Sequence, residues 1–223
     1  MIGAVFSVIS SFVVIPLKEK REDVKSVSRG FLPKKSWSVI SKFSFVRSVG
    51  GFGFGLSETL ISLWFKINFG VGEEVISIVY ATSRFLSIFS YLVVVRLVSL
   101  LGEMGSITIT RLTYSVMLIL MMSSPGYLLA AILLTLYRVS LMFTMPIIQS
   151  FTTFIVDPAE RASTVGISNF SRMSVRSFGP SIGGYLMQNI STSLPFFFGS
   201  GVIAVNGFLY YLLFKKEAVR KEN

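Results

Sequence analysis

Four charged side chains stand inside long apolar runs of this chain: Glu58, Arg84, Arg138 and Arg176, with Arg172 one helical turn before the last. An ionised group within a bilayer is costly, so such side chains face protein or a water-filled cavity rather than lipid. Their chemistry is ion pairing, proton exchange at a single carboxylate, and the holding of an anionic group by guanidinium donors. Several other chemistries are excluded. The sequence has no His and no Cys, which removes thiolate nucleophiles, histidine-based zinc sites and any Ser–His–Asp set. Glu58 is the one acid in the apolar runs, so no carboxylate pair is available for acid–base work. The chain reads as a non-enzyme without metal or cofactor.

Spacing adds neighbours to these charges. Gly51, Gly55, Glu58 and Ser62 share one helical face, with residues small enough for close backbone approach beside the carboxylate. Tyr80, Arg84, Ser87 and Tyr91 form a polar stripe on the next helix, and Arg138, Met142, Met145 and Gln149 a third. Counting ~1.5 Å per residue from the helix ends puts Glu58, Arg84, Arg138 and Arg176 roughly 13–18 Å deep. That is one level near the middle of a hydrocarbon core about 30 Å thick. In the simplest reading Glu58 pairs with one arginine and braces the bundle. Arg84, Arg138 and Arg176 against Glu58 still leave positive charge, to be balanced by an anionic solute or by acids on another polypeptide. The run from Gly50 to Gly55 contains Gly-x-Gly but follows no strand and precedes no Lys-Ser/Thr, so it suits helix packing and not phosphate binding.

The elements that must position these residues are spanning helices. Mean hydropathy is +0.70, and 52% hydrophobic against 14% charged residues lies outside the soluble range. The expected fold is an all-α polytopic membrane protein. Six crossings are predicted at 43–69, 75–98, 106–124, 127–152, 161–187 and 195–214, as two inverted three-helix repeats. Asp157, Pro158 and Glu160 mark the start of the fifth. Residues 1–17 read as a short or partial apolar helix, 18–42 as a basic linker with a segment lying on the membrane surface, 43–215 as the six-helix unit, and 216–223 as a tail. The linker carries eight Lys or Arg against three acids. The links near 70–74, 125–126 and 189–194 have none, whereas Arg96, Arg111, Arg161 and the tail share the basic side. The positive-inside pattern places linker and carboxyl terminus in the cytoplasm and the chain in the cell membrane. The net charge of +10 is therefore topological, and nucleic acid is not among the expected partners.

The order Arg161-Ala162, Gly166, Arg172, Gly179-Pro180, Gly183-Gly184 resembles the eleventh helix of a major facilitator superfamily transporter. Residues 43–215 together resemble the carboxyl-terminal six-helix half of such a protein, and 1–17 the end of its sixth helix. Gly102-Glu103-Met104-Gly105 falls where that family has a cytoplasmic Asp-Arg-x-Gly loop, but it lacks the second, basic residue. The resemblance implies alternating access, with the first and second helices of each triplet lining the path and the third facing lipid. It makes Glu103, Arg96 and Arg161 gating candidates, and Glu58, Tyr80, Arg84, Arg138, Gln149, Arg172 and Arg176 cavity candidates. It implies secondary transport of a small solute, and as partners the lipid bilayer and a missing or separately encoded six-helix half, or a second copy. The other reading is a truncated, transport-inactive fragment or a non-transporting membrane scaffold.

Overall fold

A computed structural model describes residues 36–222. The predicted apolar helix at 1–17 and most of the linker lie outside the described residues. Among those described there is no strand. The chain forms α1 (Trp37–Ser57), a 3₁₀ turn (Glu58–Leu60), α2 (Ile61–Phe69), α3 (Glu73–Met122), α4 (Tyr127–Ile155), a second 3₁₀ turn (Pro158–Glu160), α5 (Arg161–Asn189) and α6 (Leu194–Glu222). Among the described residues three stretches are long and apolar enough to cross a membrane: Leu92–Met122, Tyr127–Ile155 and Leu194–Lys215. The others expected to cross, 43–69, most of 75–98 and 161–187, are interrupted or more polar.

The helix boundaries follow from local chemistry. The Asp157 side chain accepts from the Ala159 amide at 3.1 Å and Pro158 opens the turn, so α5 starts where its sequence says. Gly70 closes α2 in the left-handed conformation (φ 65°) and its N–H returns to the Lys66 carbonyl. α1 begins six residues before the predicted 43, taking Trp37–Lys42 from the linker. The Ser36 amide there donates to Glu160 at 3.0 Å, tying the head of α1 to the turn between α4 and α5. α3 is one element only in name, because Gly102 (φ 67°, ψ 174°) breaks it into arms at 73–101 and 103–122. That backbone conformation is essentially reserved for glycine.

The helix that enters Glu58 is broken for a different reason. Ser57 Oγ donates to the Gly53 carbonyl at 2.9 Å and Thr59 Oγ1 to the Gly55 carbonyl at 2.8 Å. Such back-bonding to the preceding turn bends helices, and it acts here beside flexible glycines. The predicted crossing 43–69 is therefore two helices with Glu58 opening the turn between them.

Packing is pairwise. α1 lies against α5 and α6, α4 against both arms of α3, and α6 also against α3. Where α1 meets α5 the two backbones touch. A Cβ on Gly51 would stand 2.5 Å from the Arg172 carbonyl oxygen, and one on Gly55 or Gly179 would collide with the facing backbone. Gly51/Gly55 and Gly179/Gly183 are thus two small-xxx-small faces set together. Pro180 has no N–H to offer the Arg176 carbonyl, and that carbonyl is the group lying against Gly55.

The distribution of side chains is inverted relative to a water-soluble protein. Leu92, Val95, Leu128, Phe170 and Leu212 are each at least 72% exposed, whereas Ser57, Ser83, Ser106, Thr164, Ser168 and Asn206 are almost fully buried. Two apolar clusters fill the interior. One joins Ile61, Trp64, Val79, Tyr114, Leu134, Tyr137 and Phe196. The other joins Phe43, Val94, Ile107, Phe151, Tyr210 and Phe214. On α1, both arms of α3, α4 and α6, buried or half-buried polar residues fall between the two clusters.

Gly179→Val should lower the melting temperature and the monodisperse yield in detergent, at a cost of about 1–3 kcal/mol or more for overpacking. Gly166→Ala and Gly184→Ala, which have open space around them, should stay near wild type.

Candidate functional site

Glu58 is the centre of the polar belt. Its Oε2 accepts from Arg176 Nη2 at 3.0 Å and its Oε1 lies 3.7 Å from Arg138 Nη1. One carboxylate from the turn after α1 thus holds guanidinium groups from α4 and α5. Its delivery depends on two features already described. The glycine crossing brings α5 close enough for Arg176 to reach, and the 3₁₀ turn redirects the chain at Glu58 itself.

All three side chains are partly open, at 23% (Glu58), 16% (Arg138) and 28% (Arg176) exposure. Tyr80, on the first arm of α3, completes the group. The Arg138 guanidinium carbon stands 4.1 Å from the centre of its ring, a cation–π contact. The Tyr80 hydroxyl hydrogen-bonds Ser62 Oγ at 3.3 Å, so the network returns to α2. Beyond Arg138 opens a cavity of about 180 Å³ lined by Ser83, Arg84, Ser87, Ile88, Leu141 and Met142. Just towards the neighbouring apolar cluster, the buried hydroxyls of Tyr114 and Tyr137 hydrogen-bond each other.

The expected residues separate into three groups. Glu58, Arg138, Arg176 and Tyr80 come together, and Arg84 shares the cavity with Arg138 but makes no ion pair among the described residues. Arg172 points elsewhere, into a second cavity with Arg47 and Arg111. Gln149 is exposed on α4 and belongs to neither. The gating candidates are likewise dispersed. Glu103 is buried and accepts from Ser150 Oγ at 3.1 Å, Arg96 is exposed, and Arg161 is half-buried with its Nε unpartnered.

Arg47, Arg111 and Asn206 are polar residues that the sequence reading did not place in the interior. Arg111 stands near a helix start and was counted with the loop charges. Asn206 carried a usable signal, as a lone amide in an apolar run whose hydrogen bonds must be made inside the bundle. Its Nδ2 donates to the Val46 carbonyl at 2.6 Å.

Neither models of known protein families nor curated protein sequences match this chain.

Glu58→Gln should lower the melting temperature, because it leaves two guanidinium groups facing a neutral amide. A double-mutant cycle of Glu58→Gln with Arg176→Gln should give a coupling of about 0.5–3 kcal/mol, the range for residues in direct contact. Additive melting shifts would mean that the pair does not brace the helices.

Proposed function

We propose that the chain is a six-helix half of a secondary transporter of the major facilitator type, set in the cell membrane, that moves a small solute by alternating access. One observation carries the reading: a belt of charged and polar side chains, contributed by every long helix, lies between two apolar clusters. Serine and threonine at such a level also serve helix packing, but ionised side chains there are costly and mark a path or an ion pair.

The pairing of helices supports a two-repeat arrangement. If 43–124 and 127–214 are inverted triplets, the first helix of each lies against the second and third of the other, and the third helices lie together. α1 against α5 and α6, α4 against both arms of α3, and α6 against α3 fit that rule. In this reading Glu58, Arg84, Arg138 and Arg176 line the solute path, with Glu58 as the group that gains and loses a counter-charge. The basic linker and carboxyl tail lie in the cytoplasm. The exposed Phe170, Met173, Phe178 and Tyr185 of α5 meet lipid or a complementary six-helix half, on another chain or a second copy.

A second reading has its own observation. Glu58 already holds two arginines, as a structural brace does, and a non-transporting scaffold needs no more. Water access separates the two. The absence of native cysteine makes the test direct. Ser62→Cys, Ser87→Cys and Met142→Cys should react with a charged methanethiosulfonate in membranes at least about tenfold faster than Leu136→Cys or Val205→Cys, which face outward at mid-span, since only a hydrated thiol ionises readily. Alternating access further requires reaction from both membrane faces. Uniformly slow reaction at all five positions would leave the brace and remove the path.

A further inference from the structure

The positive charge in this bundle is least balanced away from Glu58. Arg47 on α1, Arg111 on the second arm of α3 and Arg172 on α5 line one cavity with Phe54, Asn206 and Tyr210. No acidic residue lines it. Arg47 is held by neutral acceptors, Asn169 Oδ1 at 2.9 Å and Ser168 Oγ at 3.3 Å. Arg111 is only 8% exposed, its guanidinium stands 4.8 Å from the centre of the Phe54 ring, and its Nε and Nη1 have no hydrogen-bond partner. Arg172 Nε is buried without a partner as well.

Such an arrangement works against folding when nothing fills it. Guanidinium groups remain protonated in proteins, and each buried, unpaired charge carries a desolvation penalty that mutual repulsion increases. The cation–π contacts of Arg111 with Phe54 and of Arg47 with Phe43 offset a small part of this. We propose that Arg47, Arg111 and Arg172 form a site for one small oxyanion, held inside the helix bundle and separate from the Glu58 ion pairs. The unpartnered N–H groups of Arg111 and Arg172 are the donors that such an anion would accept from, in the forked geometry that suits carboxylate and phosphate oxygens.

Size narrows the ligand. The cavity measures about 40 Å³, enough for about three waters at the 10–15 Å³ each requires. A carboxylate, nitrate or phosphate group is of that scale, whereas a sugar or nucleotide is not. The shared chemistry is a compact oxyanion, either free or as the head of an organic acid. Arg172 and Arg176 sit one turn apart on α5, so this site adjoins the Glu58 centre without sharing its carboxylate.

The test uses the purified full chain in detergent, with sodium phosphate, nitrate or acetate titrated at an ionic strength held constant by sodium chloride, whose anion carries no oxygen. At least one of the three should raise the melting temperature saturably. Phosphate or nitrate acting alone marks a free inorganic ion, and acetate marks a carboxylate head. Arg111→Met should weaken that response at least about tenfold, as loss of a charged donor does. It should also raise the melting temperature of the anion-free protein, whereas a purely structural Arg111 would lower it. Should Arg111→Met yield no protein, Arg172→Gln decides by the same loss of affinity. Glu58→Gln, which the transport reading expects to impair the path, should keep the anion response. No saturable response to any of the three anions, or an unchanged one in the arginine variants, overturns the site. Loss of the response in Glu58→Gln overturns its separateness.

Discussion

The arrangement of charge in this protein depends on how close α1 comes to α5. With glycine at 51, 55, 179 and 183 the two backbones meet directly, and dispersion together with Cα–H contacts to carbonyls replaces side-chain interdigitation. Any side chain at Gly55 or Gly179 would push the helices apart. Arg176, whose own carbonyl lies at the crossing, would then lose its reach to Glu58. Arg172, one turn earlier, packs its carbonyl against Gly51 and is held in the other cavity by the same contact. One backbone crossing thus sets the position of an arginine in each of the two charged centres.

The remaining polar residues obey a different economy. Many of the described serines and threonines donate to a carbonyl of their own helix, as Ser87, Thr135 and Thr152 do. Their burial therefore leaves few demands on neighbouring helices. Polar ties between helices are fewer and cluster around the second arm of α3. Thr110 meets Thr144, Thr108 donates to the Gly207 carbonyl, and Ser115 donates to the Ser200 carbonyl. Those three bonds join α3 to α4 and α6, where aromatic contacts are also dense. α5 is held by its glycine face together with the ties of Ser168 and Asn169 to Arg47 and of Arg176 to Glu58.

Much of this was legible in the sequence. The punctuation at Pro125-Gly126, Asp157-Pro158 and 189–193 marks helix ends that the structure reproduces within a few residues. The shared face of Gly51, Gly55 and Glu58 was readable because helical spacing alone determines it. Equal depth, which needs only rise per residue, grouped Glu58, Arg84, Arg138 and Arg176; the structure joins three of them and sets Arg84 at the adjoining cavity. The break at Glu58–Leu60 was not readable, because the back-bonds of Ser57 and Thr59 beside Gly53 and Gly55 have counterparts at Ser87 and Thr152 in helices that continue unbroken. Nor was the burial of Arg111, since distance from a helix end says nothing about which neighbour covers it. Gln149 failed for the opposite reason: it lies on the exposed face of α4, although Ile147, Ile148 and Phe151 around it are buried against the other helices.

Gly102 joins the two arms of α3 with no intervening loop. A joint one residue long has no slack. The arms can swivel about the two soft dihedrals of that glycine, but neither can slide along its own axis without dragging the other. The joint thus permits rotation, like a pair of rods on a common pin, and because α4 touches both rods any swivel changes its packing against at least one of them.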